Sequence, residues 1–195
     1  LGGLGKDGSI GIPVPSTDVK CVDESGKEVA EGEAGELIAK GPQIMQGYWQ
    51  RPDETAASLK DGWLHTGDIA QRDSDGYFTI VDRKKDMILV SGFNVYPNEV
   101  EEQIAAVPGV IEVGVVGLPH PTSGESVNAF VVVDSSAPSA EDIIAHARES
   151  LAAYKIPSTV TFVEELPKSP IGKILRRELR DQQPAASGSN PGGIA

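Results

Sequence analysis

The stretch Asp82-Arg83-Lys84-Lys85-Asp86 marks the point at which the sequence changes its pattern. Before it, short alternating segments are separated by turns rich in glycine and proline, whereas after it apolar strand-like segments alternate with helical ones. Five consecutive charged side chains are costly to bury, so we expect a surface connection here. Such a connection is either a passive linker or a hinge, and the stretch alone favours the linker. The sequence thus predicts two folded parts joined by residues 83–86.

The part before the charged stretch, residues 1–82, reads as β-rich. Alternating or β-branched residues at 19–22, 35–39 and 77–81 predict short strands, each next to a turn signal. One helix is expected over residues 52–59. Strands at this spacing are typical of a barrel or sandwich layer.

The part after the stretch, residues 87–181, reads as a mixture of strands and helices. Pro97 is placed to begin a helix, and Val100, Ile104 and Val107 share one face of it. The pair at 108–109, proline and glycine, ends that helix. Apolar runs predict strands at 87–90, 110–118, 127–133 and 159–163, with a loop over residues 119–126.

A second helix in this part has a recognisable start. Ser139 is followed three residues later by Asp142, an arrangement that caps helix N-termini. The stripe that would face the core consists of Ile144, Ala147 and Leu151. A loop over residues 167–173 and a short basic helix to about residue 180 follow, and residues 182–195 are predicted to be disordered.

Composition excludes several classes of protein. The chain has 195 residues with a formal net charge of −12, which disfavours a nucleic-acid binder because such a protein needs a basic footprint on the phosphates. Its one cysteine, Cys21, permits neither an internal disulfide nor a cysteine-based zinc site, and the three histidines are widely dispersed. We expect no metal site in this chain. No apolar run is long enough to cross a membrane and no signal peptide is apparent, so we expect a cytoplasmic protein.

Two residues, Asp68 and Lys173, are candidate ligand-binding residues from their local sequence alone. Asp68, in Thr66-Gly67-Asp68, could accept hydrogen bonds from vicinal sugar hydroxyls, although an aspartate that serves a β-turn is the commoner case. Lys173 follows an irregular loop and is expected at the opening of a helix, a position that favours anions. Lys173 is therefore either an ordinary solvated lysine or one placed to meet an anionic ligand.

Taken together and in this order, five blocks resemble the C-terminal part of the adenylate-forming enzymes, which include acyl-CoA synthetases, peptide-synthetase adenylation domains and beetle luciferases. The resemblance covers about residues 9–181, and its most detailed likeness is to bacterial long-chain fatty-acid–CoA ligases. The blocks are Gly41-Pro42-Gln43 through Gly47-Tyr48-Trp49, Gly62 to Asp68, Gly76-Tyr77 through Asp86, Ser91-Gly92-Phe93-Asn94-Val95-Tyr96-Pro97 with Glu99 and Glu102, and Pro167 to Arg177.

The resemblance implies an α+β fold in two parts. Residues 1–82 would be the last, β-rich and barrel-like subdomain of a truncated N-terminal domain, and residues 87–181 would be the complete, mobile C-terminal domain. It also implies a reaction in two steps. ATP and a carboxylate give an acyl-adenylate and pyrophosphate, and the thiolate of coenzyme A then displaces AMP.

On this resemblance, three residues would serve the nucleotide. Asp68 would hold the ribose hydroxyls, and Arg83 would support the same ribose or the phosphate. Lys173 would be the catalytic residue of the first step, bridging the carboxylate and the α-phosphate as negative charge develops.

The remaining implied roles concern rotation and coenzyme A. Lys85 occupies the hinge position about which the small domain turns between the two half-reactions. After that rotation Ser91, Gly92 and Phe93 would face the site, and Gly92 would let the pantetheine arm pass close to the backbone.

Parts of the family pattern are absent from this sequence. The phosphate loop, the block that holds adenine and magnesium, and the fatty-acid tunnel would all lie upstream. Mg²⁺ would therefore be held by residues of the intact enzyme that this chain lacks. We expect a fragment whose partner is the missing N-terminal domain and which has no ligase activity by itself.

Three questions stay open from the sequence. The parent could use another carboxylate or pass the acyl group to a carrier protein. Alternatively, the chain could be a non-catalytic interaction module with the same fold. Peripheral membrane contact is open as well, but this segment has no amphipathic basic helix to support it.

Overall fold

The computed structural model describes residues 5–182, and the chain divides between Lys85 and Asp86 into two units. This boundary falls within the charged stretch Asp82–Asp86. Of the segment predicted to be disordered, residues 183–195 lie outside the described part of the chain.

The first unit is built on one antiparallel sheet. Strand β2 pairs with β1 on one edge and with β4 on the other, while β3 and β5 share the far edge of β4. The elements in chain order are β1 (Asp18–Val22), β2 (Gly35–Lys40), α1 (Pro52–Ser58), β3 (Leu59–Lys60), β4 (Trp63–Arg72) and β5 (Phe78–Arg83). A 3-10 turn over Lys84–Asp86 follows.

The core that packs on this sheet is small. Cys21, Leu37, Ala70 and Phe78 form one buried cluster, each from a different strand. The period of two places these side chains on one face of the sheet, so the turn-bounded segments of the sequence become strands as predicted. The β-rich first part and the helix near residues 52–59 are thereby confirmed.

Strand β4, like the short strand β3, was not predicted from the sequence. Its residues include glycine and several polar side chains, and a β-turn was the commoner of the two interpretations of Thr66-Gly67-Asp68. The strand instead continues through this site: Leu64, His65, Ile69 and Ala70 pair with β2, β3 and β5 pair on the other edge, and Thr66–Asp68 form a bulge opposite β2. Pairing on both edges outweighs the weak strand propensity of the segment.

The second unit is built around strand β9. Strand β8 pairs with it antiparallel on one edge, β10 pairs parallel on the other, and β6 meets it at Gly124. The elements are β6 (Ile88–Val90), β7 (Phe93–Val95), α2 (Pro97–Ala105), β8 (Val110–His120), β9 (Gly124–Val133), α3 (Ala140–Ser150), β10 (Thr159–Phe162) and α4 (Arg176–Asp181).

Both faces of this second sheet are covered, which explains the unbroken apolar runs in its strands. On one face, alternate residues of β8 and β9 join Val100 and Ile104 of α2 and Ile143 of α3 in the main core. On the other face, Phe130 packs with Leu179 of α4. The predicted α+β class is confirmed, as is the capping of α3, where Ser139 and Asp142 bond each other's backbone N–H groups.

Several details of the second unit differ from the sequence expectations. The buried stripe of α3 contains Ile143 rather than Ile144. The loop expected over residues 119–126 is shorter, since β8 extends to His120 and β9 begins at Gly124. Lys173 does not open a helix, because Lys168 and Ile174 form a β-bridge around a tight turn and α4 begins only at Arg176.

Within residues 5–182, every helix falls short of the length and apolar character that a membrane crossing requires.

Candidate functional site

Asp68 and Arg83 lie side by side in the first unit. They are register partners on β4 and β5, and Arg83 Nε lies 2.7 Å from Asp68 Oδ1. The Asp68 side chain is one-quarter exposed and that of Arg83 about half exposed. Among residues 5–182, Arg83 is the only side chain paired with this carboxylate, so Oδ2 remains able to accept hydrogen bonds from a ligand hydroxyl.

A bulge in β4 sets the position of Asp68. Glu36 of β2 pairs with Ile69 of β4, and Ile38 pairs with His65. Leu37 of β2 therefore lies opposite the three residues Thr66–Asp68 of β4. Thr66 Oγ1 closes the bulge by donating to the carbonyl of Leu37 at 2.7 Å and accepting from the Asp68 N–H at 3.1 Å. Gly67 has a φ of +73° with open space around it, so its glycine is required for backbone conformation.

A second charged group in this unit was not predicted. Glu36 Oε2 accepts a hydrogen bond from Lys84 Nζ at 2.9 Å and lies 3.0 Å from His65 Nδ1. Burial raises the pKa of Glu36, but the hydrogen bonds from Lys84 and His65 outweigh burial and hold the pKa below its ordinary value. One signal was available in the sequence: strand periodicity places Glu36 on the same face as the buried Ile38.

These side chains border a pocket of about 390 Å³ within the first unit. Trp63 lies on its wall, with Lys20 Nζ 4.5 Å from the ring centroid in a cation–π contact. Basic and acidic side chains both line the pocket, so it is not a dedicated anion site. Its lining residues are Lys20, Asp23, Glu24, Ser25, Gly26, Glu36, Ile38, Lys60, Asp61, Trp63, His65 and Lys84.

At the boundary between the units, the three residues of the 3-10 turn differ in their surroundings. Lys84 is bonded to Glu36, while Asp86 is buried next to Arg176 and Arg180. Lys85, expected from the resemblance to be the hinge, is exposed, and its side chain forms no ion pair or hydrogen bond with residues 5–182.

In the second unit, Ser91 and Gly92 form the two-residue turn that joins β6 to β7. Their φ angles are +51° and +86°, which is the geometry of a tight hairpin turn. A Cβ added to Gly92 would meet open space, so within this unit the glycine serves the turn. Phe93 is 55% exposed and its ring stacks on that of Tyr154, with centroids 4.7 Å apart. Tyr154 is therefore a neighbour of the predicted Ser91–Phe93 site that the sequence did not reveal.

Lys173 lies on a separate turn of the second unit. Its N–H donates to Ser169 Oγ at 3.1 Å, and its carbonyl accepts from the Ser169 N–H at 2.8 Å. The side chain is exposed and forms no ion pair with any residue from 5 to 182. Nearby Lys168, in contrast, is paired with Glu112. An uncommitted cation on a short turn is able to meet a negatively charged ligand.

Mg²⁺ has no evident site in the described part of the chain. Between residues 5 and 182, no group of three or more histidine, cysteine, aspartate or glutamate side chains is arranged to hold a metal ion.

Comparison with protein families gives two matches. The model described as the AMP-binding enzyme C-terminal domain matches residues 99–173, and that described as AMP-binding enzyme matches residues 3–49. Asp68, Arg83, Lys85 and the Ser91–Phe93 turn lie between these two ranges, whereas Lys173 is the last residue of the first.

Curated relatives match nearly the whole chain. The chain is 62% identical over 175 residues to a long-chain-fatty-acid–CoA ligase of Salmonella typhimurium, covering 90% of this chain and 31% of that protein. It is 47% identical over 176 residues to a feruloyl-CoA synthase of Amycolatopsis, covering 90% of this chain and 36% of that protein. The chain thus spans about a third of the length of the relatives that it matches.

Solved structures agree with these matches. An ATP-bound RpMatB-BxBclM chimera superposes with a TM-score of 0.83 at 40% identity, covering 89% of this chain and 35% of that chain. The o-succinylbenzoate CoA synthetase of Bacillus subtilis, in complex with its acyl-adenylate intermediate, gives 0.81 at 35% identity, covering 90% and 36%.

Proposed function

This chain belongs to the AMP-binding enzymes, and on that premise we propose that it forms the C-terminal third of a long-chain fatty-acid–CoA ligase. The observation that carries the proposal is the 62% identity over 175 residues to a relative of that name. A match of this length includes the segment from Asp68 to Phe93. The substrates would be a long-chain fatty acid, ATP and coenzyme A, and the rest of the ligase would supply the parts that this sequence lacks.

In the first step, a carboxylate oxygen of the fatty acid attacks the α-phosphorus of ATP and pyrophosphate leaves. Asp68 would accept hydrogen bonds from the ribose hydroxyls, with Arg83 at 2.7 Å holding the carboxylate in position. Lys173 would place its ammonium group against the charge that develops on the phosphoryl oxygens. An exposed lysine without an ion pair can do this without first breaking a contact.

In the second step, the thiolate of coenzyme A attacks the acyl carbonyl carbon and AMP leaves. The two steps need different groups at the same reacting centre, and rotation of the second unit about Lys85 would exchange them. The Ser91–Phe93 turn would then approach the thiol substrate, with the exposed Phe93 ring offering an apolar surface for it.

Lys173→Ala, made in the complete ligase, tests the role of this lysine. We expect adenylate formation, measured as ATP–pyrophosphate exchange, to fall by about 10²-fold or more, since an electrostatic stabiliser of the transition state is lost. Thioester formation from preformed acyl-adenylate should be nearly unchanged.

Lys168→Ala is the matched control, because Lys168 lies on the same loop but is paired with Glu112. An equal loss of both half-reactions in Lys173→Ala would contradict the role assigned to Lys173.

A second candidate is a ligase for another carboxylate or with a carrier protein as acceptor. The 47% identity to a feruloyl-CoA synthase favours an aromatic acid as the alternative substrate. Assays of the complete enzyme with fatty acids of several lengths, with aryl acids and with both kinds of thiol acceptor would separate the two. A preference for aryl acids would overturn the fatty-acid proposal.

A further inference from the structure

The two neighbours of Lys85 are each held by ion pairs within their own unit. Lys84 Nζ lies 2.9 Å from Glu36 Oε2 in the first unit. Asp86 Oδ1 lies 3.2 Å from Arg180 Nη2 in the second unit. Lys85 alone separates these two attachments.

The attachment before Lys85 is firm because its acceptor is buried. The Glu36 side chain is only 9% exposed, lies in strand β2 and is also in contact with His65. A carboxylate removed from water depends on its partners, so release of Lys84 would leave a buried charge poorly compensated. Arg83, one residue earlier, is held in the same unit by Asp68.

The attachment after Lys85 is held by two arginines of helix α4. Asp86 is buried, with Arg180 at 3.2 Å and Arg176 Nη1 at 3.7 Å from its carboxylate oxygens. Arg176 also holds Glu101 of α2 at 2.8 Å and is itself only 12% exposed. Asp86 is therefore joined to α4, and α4 to α2.

This second attachment reaches the turn that carries Lys173. Arg176 follows Lys173 by three residues, and Leu179 in the same helix is fully buried under the sheet. Asp86, α4 and the Lys173 turn are thus connected by ion pairs, packing and three residues of chain within the second unit. A rotation that begins immediately before Asp86 would be transmitted directly to Lys173.

We propose that Glu36, together with Arg176 and Arg180, are positioning residues that confine the rotation between the half-reactions to Lys85. Glu36 holds Lys84 to the first unit, and the two arginines hold Asp86 to the second. Of residues 83–86, Lys85 alone is exposed and without an ion pair to the described residues, so rotation of its backbone need not break a charged contact. This inference rests on the proposed function, because it takes Lys85 as the hinge, and it adds the residues that make the hinge one residue long.

Lys84→Gln in the complete ligase is the first test. This substitution breaks the Lys84–Glu36 ion pair by changing Lys84, the more exposed of the two residues, so the fold should be retained. We expect both half-reactions to slow by roughly tenfold, the scale of one lost charged hydrogen bond, because both orientations depend on the same pivot. Lys84→Arg should restore them.

Arg180→Gln tests the other attachment in the same way and leaves the buried Asp86 unchanged. Lys60→Gln is the matched control, since Lys60 borders the same pocket as Lys84 but belongs to neither attachment. A loss confined to one half-reaction in Lys84→Gln would assign Lys84 to that step's substrate and would overturn the proposal.

A measurement of distance, without any activity, separates this inference from the proposed function. Spin labels at Glu24→Cys and Glu149→Cys, one exposed site in each unit, report the distribution of inter-unit distances in the 195-residue chain. We expect Lys84→Gln and Arg180→Gln each to broaden that distribution, and Lys60→Gln to leave it unchanged. Unchanged widths in both variants would overturn the proposal.

Lys85→Pro tests the hinge itself. Proline restricts the backbone of this residue, so it should trap one orientation and block one half-reaction. If Lys85→Pro leaves both half-reactions unchanged, the hinge role in the proposed function is wrong. If it blocks one of them while Lys84→Gln and Arg180→Gln have no effect, only the confinement by ion pairs is wrong.

Discussion

Glu36 is a charged residue inside a short strand, and its neighbours explain why it is tolerated there. Lys84 and His65 lie within 3.0 Å of one of its oxygens and compensate the loss of hydration. Because these contacts favour the ionised form of Glu36, protonation of Glu36 should lower the stability of the first unit.

The first prediction concerns the dependence of this stability on pH. Because the pKa of Glu36 is lower in the folded chain than its ordinary value, its contribution is fully present above the ordinary pKa. The contribution is lost as the pH falls through the folded-state pKa. We therefore expect the urea midpoint of the first unit to fall as the pH is lowered from about 7 to about 3.

Glu36→Gln should make this acid dependence shallower, whereas Glu24→Gln, on the rim of the same pocket, should leave it as it is. Midpoints measured by tryptophan fluorescence at each pH give the comparison. An equally steep fall in Glu36→Gln would show that other carboxylates produce the effect.

At the scale of single elements, helix α3 depends on residues close to it in the sequence, whereas strand β4 depends on distant ones. The helix begins with a capping box in which Ser139 Oγ accepts from the Asp142 N–H at 3.1 Å, and all of its signals lie within a few residues. Strand β4 is formed by partners 29 residues away in β2, and its bulge around Gly67 is defined only by the pairing with that strand. The first was therefore predictable and the second was not.

The second prediction tests this cap. Ser139→Ala removes the acceptor for a helix N–H group, so we expect it to lower the free energy of unfolding of the second unit by about 1 kcal/mol. Urea denaturation followed by far-UV circular dichroism measures the change. Ser139→Asp keeps an acceptor at the same position and should retain most of the stability; the cap would have no role if both variants unfolded like the parent.

At the scale of the whole molecule, the two units have cores of different size. Among residues 5–182, four residues form the buried cluster of the first unit, whereas the main cluster of the second unit contains thirteen. Because stability rises with buried apolar surface, the second unit should be the more stable of the two.

The third prediction follows from the position of the tryptophans. Both tryptophans of the chain, Trp49 and Trp63, belong to the first unit, and Trp63 contacts Lys20, so its fluorescence reports on that unit alone. In a urea titration of the 195-residue chain, we expect circular dichroism to show two steps, one for each unit. The fluorescence transition should coincide with the step at the lower urea concentration. A single transition, coincident for both probes, would show instead that the units unfold together.

The sequence by itself determined the features that depend on neighbouring residues. The charged boundary, the start of α2 at Pro97, the cap of α3 and the apolar strands β8 and β9 all follow from periodicity or from composition within a few residues. The order of the motifs was likewise readable, and it pointed to Asp68, Arg83 and Lys173 without showing what surrounds them.

Tertiary structure alone decided which charges meet. The pair Lys84–Glu36 joins residues 48 positions apart, and Arg180–Asp86 joins residues 94 apart. The bulge in β5 between the partners of Ile69 and Ala70 decides that Asp68 lies next to Arg83. The physical reason is that strand register and helix packing set these contacts, and register depends on partners that a local pattern does not contain.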